Sequence, residues 1–413
     1  MTKLNLRTIF LFLAVIGPGI ITATVDNDVG GITTYSLAGA HFGYSLLWSL
    51  IPITILLILV QEMSARLGAV TGKGLADLIR ENFGLKVTFY LMIALVFVNI
   101  TNTISEFAGI AAGGEIFGIS RYILVPLAGF SVWWLVVKGN YKSVEKIFMF
   151  ACLFYFSYII SGILAKPDWG LVAKQTIMPS IKFSMPYLVL LVGMIGTTIA
   201  PWMQFYLQSS VVEKGIGKKE LKFSKWDVIL GCIMTDAVAL FIIIATAATI
   251  FKVGGSINTA ADAALALGPL AGKWATYLFA FGLLNAGIFA ASILPLSTAY
   301  SVSEGLGWES GVNRKFSEAK EFYILYTAMI VIGAAVMMIP NLNLIFMMYF
   351  SQVLNGILLP VILVSMLILI NKKEIMGEYK NSRGYNIVMW AISIFVIILV
   401  LLMLVLPIVQ KFI

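Results

Sequence analysis

The sequence predicts an all-α polytopic membrane protein of eleven transmembrane helices, arranged as two five-helix halves and one extra helix. Three observations predict it. Of 413 residues 60% are hydrophobic and only 12% charged, about half the charged share of a soluble domain, and the mean hydropathy is +0.97. Apolar windows about 20 residues long, enough to cross a bilayer, recur along the whole chain. The first and sixth of these windows are interrupted by residues that do not continue a helix.

Taken in order, the windows cover 8–40 (broken), 44–66, 87–118, 122–137 and 147–165. These form a first repeat of about 8–165. A second repeat of about 184–370 follows, with windows at 184–212 (broken), 226–251, 274–305, 321–339 and 343–370, and the extra helix is expected at about 387–410. The connecting stretches are short and polar, so the chain reads as a single transmembrane domain.

Lysine and arginine orient the windows, because cytoplasmic loops carry the excess of both. With the N-terminus inside, 21 of the 28 basic residues fall on the cytoplasmic side, among them Lys3, Arg7, Lys142 and Lys146, and seven fall outside. The expected location is therefore integral in a plasma membrane of prokaryotic type, N-terminus cytoplasmic and C-terminus extracytoplasmic. The net charge of +8 belongs to these loops and not to a nucleic-acid surface. Cys152 and Cys232 lie in apolar runs without metal-ligand spacing, and His41 is the one histidine. Lys3 and Arg7 before an apolar run imitate a signal peptide, but no small-residue cleavage site ends the run.

The first interruption, ATVDNDVGGITTYS (23–36), places Asp26, Asn27, Asp28, Gly30 and Gly31 at mid-membrane depth, after Pro18 and Gly19. The second, LVGMIGTTIAPWMQFYLQSS, holds Gly193, Gly196 and Pro201. Unwound backbone survives at that depth only where protein or a watery cavity surrounds it. Broken helices at matching places in two halves mark an inverted-repeat transporter. Freed carbonyls and an acid make a cation site. Asp28 reads as the leading ligand or as the cap of the second half-helix, roles it can combine. Asp26 reads either as a charge that concentrates cations near the ion or as a solvent-facing vestibule residue. Asn27 reads as a loop former.

The chain also resembles the Nramp divalent-metal transporters over nearly its whole length. The resemblance is carried by AGAHFGYSLLW (38–48), VQEMSARLGAVTGKGLADLIRENFG (60–84), ISEFAG (104–109), IGTTIAP (195–201), FGLLNAG (281–287) and SQVLNGILLPVILVSMLILINKKEIMGEYKN (351–381). It implies the leucine-transporter-type fold of five plus five helices, with metal held between broken helices 1 and 6.

Several family positions are substituted. The family's Asp-Pro-Gly-Asn motif falls on Asp28, Val29, Gly30 and Gly31, so the asparagine ligand is lost. Its methionine-proline-histidine motif falls on Ala200, Pro201 and Trp202, so the soft thioether and the histidine are lost too. The acid expected three residues before Glu106 is Thr103, and the arginines of the ninth helix are missing. Without sulfur the donors are oxygens, which suit magnesium, calcium and manganese. Magnesium keeps several of its waters, and the space left at Gly31 and Ala200 suits a partly hydrated ion. The substituted site resembles that of the Nramp-related magnesium transporters, which share the fold.

Other residues carry paired readings. Thr197 and the carbonyls near Ala200 coordinate ion or water, or the Thr197 hydroxyl bonds the preceding turn. Trp202 shapes the cavity or only packs. Gln352 binds an ion-held water or joins helices. Gln204 adjoins the break. Glu106 and Thr103 mark a possible ion or proton path, with a structural hydrogen bond as the alternative for Glu106. Glu62, Glu115 and Asp236 receive no role, and Met337, Met338, Met347 and Met348 read as packing.

The function expected is divalent-cation uptake by alternating access, Mg2+ foremost and Mn2+ also, with little or no proton coupling. The alternative is a proton-coupled Mn2+/Fe2+ importer of the usual Nramp kind. An organic-substrate transporter of the same fold fits the acid at the break less well, and no catalytic motif supports an enzyme. No cofactor, nucleic acid or obligate protein partner is implied. The partners are the metal ion and the lipid bilayer.

Overall fold

The computed structural model describes residues 15–138 and 155–409. Cys152, Lys3, Arg7, Lys142, Lys146 and the first part of the window 147–165 lie outside them. Every regular element among the described residues is helical.

The first window is divided into α1 (Pro18–Thr24) and α2 (Val29–Phe42) by a 3-10 turn over Val25–Asn27. Then come α3 (Leu47–Thr71), α4 (Leu75–Ile116), α5 (Arg121–Lys138), α6 (Phe156–Leu164) and α7 (Trp169–Ile177). The second broken window is α8 (Met185–Thr198) and α9 (Pro201–Glu213). It leads into α10 (Leu221–Thr249), α11 (Ala275–Leu306), α12 (Lys320–Val336), α13 (Leu344–Asn371) and α14 (Arg383–Val409). Within α4 the backbone turns at Gly84, whose φ of 80° lies where glycine alone is at ease, so the membrane-crossing part begins after it.

Eight described helices are long and apolar enough to cross a membrane: α3, α4, α5, the α8–α9 pair, α10, α11, α13 and α14. The other three expected windows correspond to the divided α1–α2, to α6, described only from Tyr155, and to the 17-residue α12.

The breaks fall a few residues from the glycines expected to cause them. In the first, Asp28 is extended (φ −64°, ψ −177°), while Gly30 and Gly31 already belong to the first turn of α2. In the second, Ile199 and Ala200 leave helical geometry, Ala200 because Pro201 bars its predecessor from it, and Gly193 and Gly196 lie inside α8. Their service is close packing. A Cβ on Gly196 would run into the Gln352 carbonyl and the Gly356 backbone of α13. Pro18 starts α1 at a position where its missing N–H costs nothing.

The two broken helices lie antiparallel, α1 against α9 and α2 against α8, so the breaks sit side by side. α10 packs along α1, α2 and α3, while α4 packs against α11 and α13. The buried core runs continuously through these contacts, and apolar side chains such as Phe97, Phe130 and Leu401 face outward, as a bilayer-facing surface requires.

Candidate cation site at the paired helix breaks

Asp28 stands where α2 begins. Its Oδ1 accepts the N–H of Gly31 at 2.6 Å, which satisfies one of the donors that a helix start leaves free. Its side chain also meets that of Glu106, which arrives from α4, and Glu106 Oε2 accepts the Val29 N–H at 3.2 Å. Glu106 Oε1 has no partner. One end of α2 is therefore gripped by two carboxylates, both buried. The positive end of the helix dipole favours that arrangement.

Gly31 faces the turn before it and the neighbouring break. A Cβ there would strike the Asp26 carbonyl and stand 3.1 Å from Thr197 Oγ1. Gly30 faces α13, where a Cβ would collide with the Gln352 amide. Asp28, Gly31, Thr197 and Gln352 are thus gathered from three helices around one junction. Thr197 Oγ1 is buried and makes no hydrogen bond, so the bond to the preceding turn is not formed. Its neighbour Thr198 forms that bond instead, to the Met194 carbonyl at 2.7 Å, and shares a hydrogen bond of 2.7 Å with Tyr35 Oη of α2.

Gln352 is held in place. Its Oε1 accepts from Asn355 Nδ2 at 2.8 Å, and Asn355 exchanges two amide bonds with Asn102 of α4, at 2.9 and 3.0 Å. The second break is less open than its sequence implies. The Ala200 carbonyl accepts the Met203 N–H at 3.0 Å. The Gln204 amide faces two acceptors, Ala200 O and Pro201 O, and assigned with its nitrogen toward them it donates at 2.6 and 2.8 Å. Trp202 is buried in the apolar core with its ring 6.3 Å from that of Tyr206. Thr103 is turned into its own helix, donating to the Asn99 carbonyl at 2.8 Å.

Asp26 does not face solvent. It is 1% exposed, the Tyr35 hydroxyl faces it, and no hydrogen bond of ordinary geometry reaches either carboxylate oxygen. Asp236, in the middle of α10, lies within electrostatic reach of it and is likewise buried, with the Thr54 hydroxyl facing it and no hydrogen bond of ordinary geometry. Asn27 is more than a loop former, since its Nδ2 donates to Thr235 Oγ1 at 2.6 Å and to the Thr235 carbonyl at 3.1 Å. Among the described residues, no ion pair involves Asp26, Asp28, Glu106 or Asp236. By contrast, Glu62 and Glu115 are taken up by Arg66 (3.0 Å) and Arg121 (2.6 Å). Sequence reading left Asp236 without a role, although an acid amid the apolar run of a helix carried the signal.

This site lies in a chain whose residues 19–406 match the model of the Nramp family, natural resistance-associated macrophage protein-like. The chain belongs to the Nramp family. Membership makes it an integral-membrane transporter, in class a transporter of divalent metal ions. Among solved structures, the Nramp chain is similar to the manganese transporter of Eremococcus coleocola in complex with an aromatic bis-isothiourea substituted compound. The two are 23% identical with a TM-score of 0.76, over 98% of this chain and 87% of that one. It is also similar to MHP1, a nucleobase-cation-symport-1 family transporter, in a closed conformation with bromovinylhydantoin bound. There the identity is 12% and the TM-score 0.57, over 85% of this chain and 77% of the other. These likenesses establish the fold, an Nramp fold of the leucine-transporter type.

Proposed function

We propose that this Nramp protein takes up Mg2+, and also Mn2+, by alternating access, carrying a partly hydrated ion with little or no proton coupling. The N-terminus is cytoplasmic and the two five-helix repeats move around the paired breaks. The observation that carries the reading is the donor set. Around Asp28 the free side-chain donors are the oxygens of Glu106 and Thr197, Gln352 turns its amide nitrogen to Gly30 with its oxygen held by Asn355, and Gly31 and Ala200 add none. A carboxylate held at mid-membrane without a basic partner is costly unless a cation joins it.

The sulfurs nearby do not alter the character of the set. Met348 Sδ accepts the Thr33 hydroxyl at 3.3 Å, and Cys232 is a buried free thiol on α10. Hard oxygen donors suit Mg2+ and Mn2+ and give soft Cd2+ no advantage. The membrane potential supplies the drive, about 2.3 kcal/mol per charge for every 100 mV. Thr103, turned into its own helix, offers no proton relay beside Glu106.

A second reading, proton-coupled import of Mn2+ or Fe2+, has one specific point in its favour. The contact between the Asp28 and Glu106 carboxyls becomes a hydrogen bond only when one of them carries a proton.

Uptake into proteoliposomes decides between them, using Mg2+, Mn2+, Ca2+ and Cd2+ with a pH-sensitive dye inside. Mg2+ and Mn2+ flux without acidification is expected. Cd2+-selective flux with acidification establishes the second reading in place of the first.

A further inference from the structure

The mid-membrane acids form two pairs. Asp28 and Glu106 grip the start of α2. Asp26, on the 3-10 turn, lies within electrostatic reach of Asp236 on α10, which packs against that turn, and of Asp28 as well. The second pair is 1% and 5% exposed, with the Tyr35 hydroxyl facing Asp26 and the Thr54 hydroxyl facing Asp236, yet no hydrogen bond of ordinary geometry reaches any of its four carboxylate oxygens. None of the described ion pairs reaches it. The clamp between Asn27 and Thr235, at 2.6 and 3.1 Å, joins the immediate chain neighbours of the two acids and so ties the 3-10 turn to α10 at their level. Asn27 Oδ1 stays buried and unpartnered at the same junction.

We propose that Asp26 and Asp236, with Asn27 Oδ1, form a second cation subsite, distinct from the one at Asp28, that takes a hard divalent ion such as Mg2+ or Mn2+. The charges support it. Each pair of carboxylates matches one dication, so two subsites neutralise four acids that otherwise stand unpaired inside a membrane. The donors support it as well, being carboxylate and amide oxygens of the type hard cations prefer. The subsite stands beside the break, where it holds an ion next to the transport position. The inference rests on the transport reading above but makes its own demand, since a cation must bind when Asp28 cannot hold one.

The test is binding of Mn2+ to the purified full-length protein, followed by electron paramagnetic resonance and titration calorimetry. Asp28→Asn is expected to retain about one bound ion, since the second pair keeps a full complement of charge. Adding Asp236→Asn, or Asp26→Asn, should remove that ion. Both changes are isosteric, and the thermal unfolding midpoint shows whether each variant is folded. Loss of all bound Mn2+ from folded Asp28→Asn overturns the second subsite and leaves the transport site standing. An ion that survives in Asp28→Asn/Asp236→Asn and in Asp28→Asn/Asp26→Asn also overturns it. Absence of Mn2+ from the unmutated protein overturns both readings.

Discussion

Asp28 Oδ1 accepts the N–H of Gly31 at 2.6 Å, so the acid we propose as the cation ligand is also the cap of the half-helix beneath it. The two roles separate by mutation. Asp28→Asn keeps a good capping residue, whereas Asp28→Ala loses the cap at a cost of about 1 kcal/mol. Both variants should lose metal uptake, but only Asp28→Ala should also lower the unfolding midpoint. Uptake assays and thermal unfolding on the same preparations check this, and wild-type uptake by Asp28→Asn sinks the assignment.

Gly31 stands where the family resemblance places an asparagine, yet its surroundings leave no room for one. A Cβ would strike the Asp26 carbonyl. Gly31→Asn should therefore not restore a ligand. It should overpack the junction, destabilising the protein by about 1–3 kcal/mol and reducing uptake of every ion. A folded variant with raised Mn2+ uptake contradicts this.

Ala200→Met returns a soft sulfur to the second break. Ala200 is 2% exposed and its carbonyl is already bonded, so the thioether would be a new donor. The ratio of Cd2+ to Mg2+ uptake should rise, on the order of tenfold if the sulfur contributes about 1.4 kcal/mol. Competition between the two ions in proteoliposomes measures it, and an unchanged ratio places Ala200 away from the ion.

Gln352 is positioned through Asn355 and Asn102. Asn102→Ala breaks the reciprocal amide pair between α13 and α4 and leaves Asn355 with a buried, unpaired oxygen. A loss of about 1–3 kcal/mol in stability is expected. If Gln352 holds an ion or its water, the KM for Mg2+ should rise as well. An unchanged KM with reduced stability would limit Gln352 to joining helices.

Asp227 of α10 serves α1 from outside, accepting the N–H groups of Gly17, Gly19 and Ile20 at 3.1, 2.6 and 3.3 Å. Asp227→Ala leaves these donors unmet and should lower stability by about 1–3 kcal/mol, whereas Asp227→Asn should recover part of it. Unfolding midpoints in detergent compare the two. Equal midpoints for both variants and the wild type deny Asp227 this anchoring role.

How much of the site was legible depends on the range of the cause. The helix interruptions were visible because Asp28, Asn27 and Pro201 act within a residue or two of themselves. Their edges were misplaced because Gly30, Gly31, Gly193 and Gly196 can either break a helix or admit a neighbour, and only the neighbour decides. Thr197 and Thr198 show the same limit. Both can bond the preceding turn, yet only Thr198 does, with Tyr35 across from it.

The sequence by itself determined the membrane class, the positions of the apolar helices, the two breaks and the Nramp resemblance. The first three follow from hydropathy and from local backbone preferences, and the resemblance rests on matching stretches such as residues 60–84 and 351–381. Only the tertiary structure decided that Asp26 is buried rather than solvated, that Asp236 comes within electrostatic reach of it from α10, and that Thr235 clamps Asn27. These are contacts between residues far apart in the chain, and no local preference specifies which buried oxygen is left without a partner.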